Sequence, residues 1–324
     1  MRNFVNTIDG IVLDSIKGFC HAHSDKVVLH EDPLYITRHS LDLKKVSLVS
    51  GGGSGHEPLH SGFVGVGMLD AACPGKLLTS PTPNQIAAAI NAVDYGQGVL
   101  VVLKNYHGDK MNFELAKRLV SSDVDMVIVS DDATFDDPSQ SRGIAGVLVF
   151  QKILGAAAEE GQGVPELKGL AQKVNLQTKS VGVALDSMVP PGMSDPLYDM
   201  PDGMMEYGVG IHGEKGKECM PLLDAKRLTR MMVQQVVEKI ADVKSKNVLL
   251  FVNGLGGAPM VELYIIYEQA SQILEEMGFR VIRSLVGNYV TTLSLNGCSI
   301  TVSVLDEECL AYWDAPVKTP HLQW

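Results

Sequence analysis

The residues with the clearest capacity for chemistry lie in the stretch SLVSGGGSGHEP, from Ser47 to Pro58. Three consecutive glycines let a backbone approach a ligand closely and direct its N–H groups inward, because no Cβ blocks the approach. His56 follows them, and an imidazole can exchange a proton near neutral pH. The stretch therefore predicts either a small-molecule site or an ordinary strand-to-helix turn with a surface histidine.

A second polar group follows the apolar run GVLVVL, Gly98 to Leu103, which is typical of a buried parallel strand. Ligands of open α/β sheets bind beyond the carboxyl ends of the strands, so this loop and the glycine loop should border one crevice. Lys104 could hold a substrate oxygen there, and Asp109 could accept a hydroxyl proton. The alternative is a solvated turn in which Asp109 caps a helix beginning near Asn112.

A third candidate is His212, which a strand-like stretch carries into a second glycine-flanked loop, GVGIHGEKG.

Other polar groups have simpler interpretations. Those of the SPTPN stretch are interpreted as possible helix caps, namely Ser80, Thr82 and Asn84. Carboxylates cluster in the loop SDDATFDDPSQSRG at Asp131, Asp132, Asp136 and Asp137. Magnesium favours such clusters, but acidic pairs in loops are more often solvated charge, so we expect no metal site.

The elements that must position these residues predict two domains, since 324 residues exceed the usual size of a single core. Strands and helices alternate in the first half, which predicts a mostly parallel α/β domain over residues 1–185. The proline-rich stretch VPPGMSDPLYDMPDGMM marks the boundary. Residues 186–324 then form an α+β domain with a mixed or antiparallel sheet, in which Asn296-Gly297 predicts a hairpin turn. The C-terminal tail could pack back on the first domain.

The composition excludes several classes of protein. A formal net charge of -11 argues against nucleic-acid and anionic-membrane partners, which require a basic face. The five cysteines are odd in number and lack a CxxC pair, so neither a disulfide framework nor a zinc site is indicated. We find no signal peptide and no apolar run of membrane-spanning length. A cytoplasmic protein with a small-molecule substrate is the expectation.

Five stretches together resemble the dihydroxyacetone (glycerone) kinase family, and specifically its substrate-binding K subunit: LVSGGGSGHEPLHSGFVGVGM, CPGKLLTSPTP, VVLKNYHGDKMNFELA, GVGIHGEKG and YWDAPVKTPHLQW. The resemblance implies that His212 attacks the carbonyl carbon of dihydroxyacetone and holds the ketone as a covalent hemiaminal. It also implies that His56 and Asp109 hydrogen-bond the substrate and act as acid and base. The expected substrate contacts are Gly53, Ser54, Gly55 and Lys104.

The chain lacks the motif GxxxxGK[ST], so we expect no nucleotide cofactor on it. The resemblance implies a separate L subunit that holds ADP and magnesium and is rephosphorylated by the phosphotransferase system. It also implies a K subunit that acts as a homodimer.

The sequence departs from the family at two places. The loop before the GIAG helix is shortened and keeps only Arg142, and Lys215 replaces the proline of the family's GEPG. Partner choice or substrate could differ as a result, and a related ketose such as erythrulose is an alternative substrate. A second alternative is a K-like coactivator of a transcription factor, which captures the ketone without phosphorylating it.

Overall fold

The computed structural model describes residues 3–40, 44–137, 139–241 and 244–324, which form two six-stranded sheets. The elements of the first half are, in chain order, α1 (Ile11–Ala22), β1 (Val27–Glu31), β2 (Leu34–Arg38), β3 (Ser47–Ser54), a short 3-10 turn (Ser61–Phe63), β4 (Ala71–Leu77), α2 (Pro83–Val93), β5 (Val99–Lys104), α3 (His107–Lys117), β6 (Val124–Val129) and α4 (Val147–Glu159).

The first sheet has the strand order β1-β2-β4-β3-β5-β6. Strands β4, β3, β5 and β6 run parallel to one another, whereas β1 and β2 add an antiparallel edge. Strand β5 is buried along its whole length, as its continuous apolar sequence predicts. The mostly parallel sheet is confirmed.

The remaining elements are α5 (Val164–Gln177), β7 (Thr178–Ala184), β8 (Met204–Tyr207), β9 (Glu218–Pro221), α6 (Ala225–Lys239), β10 (Asn247–Gly254), α7 (Met260–Glu276), β11 (Arg280–Gly287), β12 (Gly297–Val304) and α8 (Glu307–Asp314). Their sheet has the order β11-β10-β12-β7-β8-β9. Only β10 and β11 are parallel, and the other neighbours are antiparallel. The mixed sheet of the second half is therefore confirmed as well.

The hairpin prediction at Asn296-Gly297 is wrong. Gly297 begins β12, and this strand pairs with β10 on one side and with β7 on the other. Both edges of β12 are thus occupied, which leaves no edge for the stretch TTLSL that precedes the turn. The alternating pattern indicated a strand partner that the sheet cannot accommodate.

The described residues divide into two units by their contacts. The first unit comprises the residues up to 129 together with 147–173 and 311–324, and the second comprises 130–146 and 174–310. The C-terminal segment belongs to the first unit, where Lys318 pairs with Val66. These units differ from a single boundary at residue 185, because β7 pairs with β12 and β8 in the second sheet. No helix of the described residues is long and apolar enough to span a membrane.

Candidate functional site

The three consecutive glycines lie inside β3, where Gly51 is opposite Cys73 and Gly52 is opposite Pro74 of β4. A Cβ on Gly51 would lie 2.7 Å from the Cys73 carbonyl oxygen, and one on Gly53 would lie 2.5 Å from the Thr79 backbone nitrogen. Gly51 and Gly53 therefore allow the protein's own backbone to pack closely against β3. The predicted loop begins later, after Ser54, whose hydroxyl donates to the Gly75 carbonyl at 2.7 Å.

Gly52 has a different neighbour, the side chain of Lys104 at the end of β5. A Cβ on Gly52 would lie 2.7 Å from Lys104 Nζ, 3.6 Å from His60 Nε2 and 3.8 Å from Asp109 Oδ2. Lys104 has no exposed surface, and burial lowers the pKa of its ammonium group while Asp109 acts in the opposite direction. The missing side chain of Gly52 thus leaves room for a buried cation.

Asp109 lies in the first turn of α3, so this helix begins earlier than the predicted start near Asn112. Its carboxylate is buried, with Oδ2 4.0 Å from Lys104 Nζ and Oδ1 accepting a hydrogen bond from the Ser80 hydroxyl. The alternative of a solvated turn is wrong. The cap of α2 is Thr82, which forms a reciprocal capping box with Gln85.

His60 is a site residue that the sequence patterns did not single out. Its ring is buried, and its Nε2 lies 2.9 Å from Lys104 Nζ. On the other side of the ring, Nδ1 lies 3.1 Å from Ser50 Oγ and 2.7 Å from the amide of Gln151. Burial lowers the pKa of His60 well below its ordinary value, and Lys104 lowers it further, so the imidazole is neutral at physiological pH.

A polar network surrounds the His60 ring. The Ser50 hydroxyl donates to the Val102 carbonyl at 2.7 Å, and its oxygen accepts from Gln151 Nε2 at 3.4 Å. Gln151 Nε2 also lies beside Nδ1 of His60, and Lys104 Nζ lies beside Nε2. One polar chain thus links β3, β5 and α3 through Lys104 to Asp109.

His56 lies in the turn that follows β3, and its side chain is buried, at 1% exposure, so it is not a surface residue. His56 is among the groups that lower the pKa of His60, after burial and Lys104. The turn is held by the Glu57 carboxylate, which accepts from the Gly55 N–H at 2.9 Å. Burial also raises the pKa of Glu57.

A small pocket opens beside these groups. It is lined by residues of β3 and β4 and of the turn between them, among them Gly52, Gly53, Ser54, Glu57, His60 and Pro74. The first unit therefore brings the predicted residues of the glycine stretch into the same region as Lys104 and Asp109, and it adds His60.

His212 belongs to the second unit, in the loop between β8 and β9. Its side chain is half-buried, and its backbone N–H donates to Glu214 Oε2 at 2.9 Å. The preceding carbonyl, that of Ile211, accepts from the Thr292 hydroxyl at 2.9 Å. Gly213 follows with a φ of 75°, in the left-handed region that favours glycine. Backbone contacts on both sides therefore fix the loop at the histidine.

The carboxylates of the acidic loop have structural partners. Asp131 accepts from the N–H groups of Ile144 and Gly146 at 2.8 and 2.7 Å, and burial raises its pKa. Asp132 pairs with Arg142 at 2.6 Å, and Asp136 pairs with Lys239. Within the described ranges, no group of three or more His, Cys, Asp or Glu side chains is placed to hold a metal ion.

Comparison with known proteins gives matches over nearly the whole chain. A model of the Dak1 domain matches residues 17–321. The dihydroxyacetone-binding subunit DhaK of the PEP-dependent dihydroxyacetone kinase of Escherichia coli (strain K12) is 36% identical over 363 aligned residues, covering 100% of this chain and 99% of that protein. The corresponding subunit of the PTS-dependent dihydroxyacetone kinase 1 of Listeria innocua is 39% identical over 326 residues, covering 99% and 98%.

Other similar proteins are named for a different activity or are longer than this chain. The L-erythrulose kinase of Pectobacterium atrosepticum is 36% identical over 331 residues, which cover 99% of this chain and 56% of that protein. Among solved structures, the dihydroxyacetone kinase operon co-activator Dha-DhaQ has a TM-score of 0.89 at 32% identity, covering 95% of this chain and 97% of that one. The dihydroxyacetone kinase of C. freundii has a TM-score of 0.91 at 33% identity, covering 99% and 60%.

Proposed function

Because this chain belongs to the Dak1 domain family, we propose that it is the dihydroxyacetone-binding subunit of a dihydroxyacetone kinase. The observation that carries the proposal is its similarity, over at least 98% of the length of each protein, to subunits named for dihydroxyacetone binding. The buried Lys104 and Asp109 beside Gly52 support it, because they provide a cation and a carboxylate for a small polyhydroxylated substrate.

We propose that His212 captures the ketone covalently. A ring nitrogen lone pair adds to the carbonyl carbon, the former carbonyl oxygen takes up a proton, and the ring loses its N–H proton, so a neutral hemiaminal forms without an oxidant or reductant. Such a bond requires a carbonyl carbon. It therefore selects short ketoses and aldehydes over glycerol, which has none.

The first unit then supplies acid–base chemistry. Asp109 accepts the proton of the substrate hydroxyl that attacks phosphorus, His56 exchanges a proton with the substrate, and Lys104 holds a substrate oxygen. Backbone groups of Gly53, Ser54 and Gly55 complete the substrate contacts. A tethered hydroxyl gains effective concentration toward the phosphoryl donor, which is the main advantage of covalent capture.

The donor belongs to a partner in this proposal. We infer a separate L subunit that carries ADP and magnesium and receives its phosphoryl group from the phosphotransferase system. The names of the E. coli and L. innocua relatives, which specify PEP and PTS dependence, support this arrangement. A homodimer of this chain is the proposed functional form.

A mixing experiment tests the proposal. The chain is combined with an L subunit, a phosphoryl donor and dihydroxyacetone, and phosphorylated product is measured. We expect product with the wild-type chain and none with His212→Ala, which should also lose the mass increment of one ketone in native mass spectrometry. Wild-type protein that neither gains this mass nor yields product would refute the proposal.

Two alternatives have specific support. Similarity to the co-activator Dha-DhaQ over 95% of the chain favours a ketone-responsive regulator as the second candidate. Covalent capture without phosphorylation by any of several L subunits would select it. Similarity to L-erythrulose kinase favours a four-carbon ketose as an alternative substrate. A direct competition between erythrulose and dihydroxyacetone for the adduct would decide which ketose the site prefers.

A further inference from the structure

We propose that Arg142 and Glu214 act as a positioning pair that fixes the backbone of His212 for ketone capture. This inference rests on the proposed function of His212. It adds two residues whose side chains act on the histidine through its backbone and not on the substrate.

The pair reaches His212 through a single carboxylate. Glu214 Oε1 accepts from Arg142 Nη1 at 2.8 Å, while Glu214 Oε2 accepts from the backbone N–H of His212 at 2.9 Å. Both oxygens of the carboxylate therefore accept a hydrogen bond. Movement of the guanidinium would therefore be transmitted directly to the peptide that carries the imidazole.

Arg142 is itself held by contacts to Asp132, Gly208 and Phe135. Its Nε donates to Asp132 Oδ2 at 2.6 Å, and the Asp132 side chain has no exposed surface. Its Nη2 donates to the Gly208 carbonyl at 2.7 Å, and its guanidinium lies 5.1 Å from the Phe135 ring centroid. Only arginine presents planar donors in three directions, so lysine cannot make this set of contacts.

The backbone at Gly210 leaves space for the ion pair between Arg142 and Glu214. A Cβ on Gly210 would lie 1.9 Å from Glu214 Oε1 and 2.9 Å from Arg142 Nη1. Glycine at this position therefore leaves space for the ion pair beneath the loop. One arginine thus contacts this loop at two points, directly at the Gly208 carbonyl and, through Glu214, at the His212 N–H.

The proposed role gives Arg142 a function within the loop that precedes α4. Asp132 and Arg142 belong to this loop, and they connect it to the His212 loop through Glu214. A nucleophile must be held within a few tenths of an ångström of its attack geometry, so a freed His212 peptide should weaken capture more than it weakens folding.

The test measures adduct occupancy against dihydroxyacetone concentration by native mass spectrometry. Glu214→Gln replaces one of the two acceptor oxygens by an NH₂ group, which cannot accept from Arg142 or from the His212 N–H. We expect its half-saturating ketone concentration to rise about 10-fold, and that of Arg142→Ala to rise about 10- to 100-fold, with the same maximal occupancy. Arg142→Lys should lie between Arg142→Ala and wild type.

A matched control is Arg230→Ala, which removes an exposed ion pair with Glu276 in the same unit. It should leave the half-saturating concentration unchanged. A purely structural role of Arg142 would instead raise the half-saturating concentration only by the inverse of the folded fraction, because the ketone binds the folded chain alone, and thermal unfolding measures that fraction independently. That result, or wild-type capture by Glu214→Gln and Arg142→Ala, overturns the inference. Absence of an adduct in the wild-type chain would instead overturn the proposed function of His212.

Discussion

Replacement of Gly52 by alanine tests whether this position of β3 leaves the space that the Lys104 ammonium group needs in order to function. The added methyl carbon would lie 2.7 Å from Lys104 Nζ, whereas ordinary contacts begin at 3.4 Å, so the ammonium must move by roughly 0.7 Å. Lys104 has no exposed surface into which to move. Its 2.9 Å hydrogen bond to His60 or its 4.0 Å separation from Asp109 must therefore change.

The expected effect on function exceeds the effect on stability. Overpacking of this kind costs about 1–3 kcal/mol of folding free energy, which shifts the melting temperature by several degrees without abolishing the fold. A displacement approaching 1 Å of a substrate-holding group can cost about 100-fold in rate. We therefore expect Gly52→Ala to remain folded at 25 °C and to support phosphoryl transfer about 100-fold more slowly than wild type.

Two other glycines provide matched controls with the same chemical change. The Cβ of Gly53→Ala would lie 2.5 Å from the Thr79 backbone nitrogen. Because a backbone moves less easily than the end of a lysine side chain, we expect this variant to lose mainly folding stability. Gly18→Ala, within α1, meets nothing within 4 Å and should leave transfer unchanged. Thermal unfolding followed by a transfer assay with the L subunit measures both effects. A wild-type transfer rate in Gly52→Ala would refute the reasoning.

Three further predictions concern the first unit. Asp109→Asn should still capture dihydroxyacetone but transfer phosphate about 100-fold or more slowly, because the amide cannot accept the hydroxyl proton; normal transfer would exclude Asp109 as the base. Ser80→Ala should slow transfer about 10-fold, since Asp109 loses its hydroxyl donor, and an unchanged rate would show that this donor is dispensable. Burial lowers the pKa of Lys152 in the folded protein from 10.5 to about 8. Between these two pH values the unfolded chain binds more protons than the folded chain, so the free energy of unfolding of the wild type should rise with pH. Denaturant unfolding should show this rise, about 3 kcal/mol in total, relative to Lys152→Met; parallel pH profiles of the two proteins would contradict it.

The sequence predicted both sheets because their strands are long apolar runs bounded by turn residues. The sequence could not predict that the glycines lie inside β3, since glycine is typical of loops. Glycine is needed at these positions because Cys73, Lys104 and Thr79 approach the strand closely from elsewhere in the chain. The hairpin prediction failed for a similar reason, because strand partners are set by tertiary contacts.

The sequence singled out residues whose type implies chemistry, namely His56, Lys104, Asp109 and His212, and their roles stay predictions. His60 escaped prediction although it lies four residues after His56 in the same motif-bearing stretch. Its importance arises from burial against Lys104 and Ser50, which only the fold reveals. Arg142 was visible only as a departure from the family pattern. Its contact with Glu214 connects residues 72 positions apart in sequence, which the sequence alone does not bring together.

The most direct test of the account is a nuclear magnetic resonance experiment on protein labelled with ¹⁵N-histidine and mixed with dihydroxyacetone labelled with ¹³C at the carbonyl carbon. We predict a tetrahedral carbon resonance with a one-bond coupling to an imidazole nitrogen, and we predict its loss in His212→Ala. A carbonyl carbon that remains trigonal or merely hydrated in the complex, or a coupling that persists in His212→Ala, would contradict covalent capture at His212.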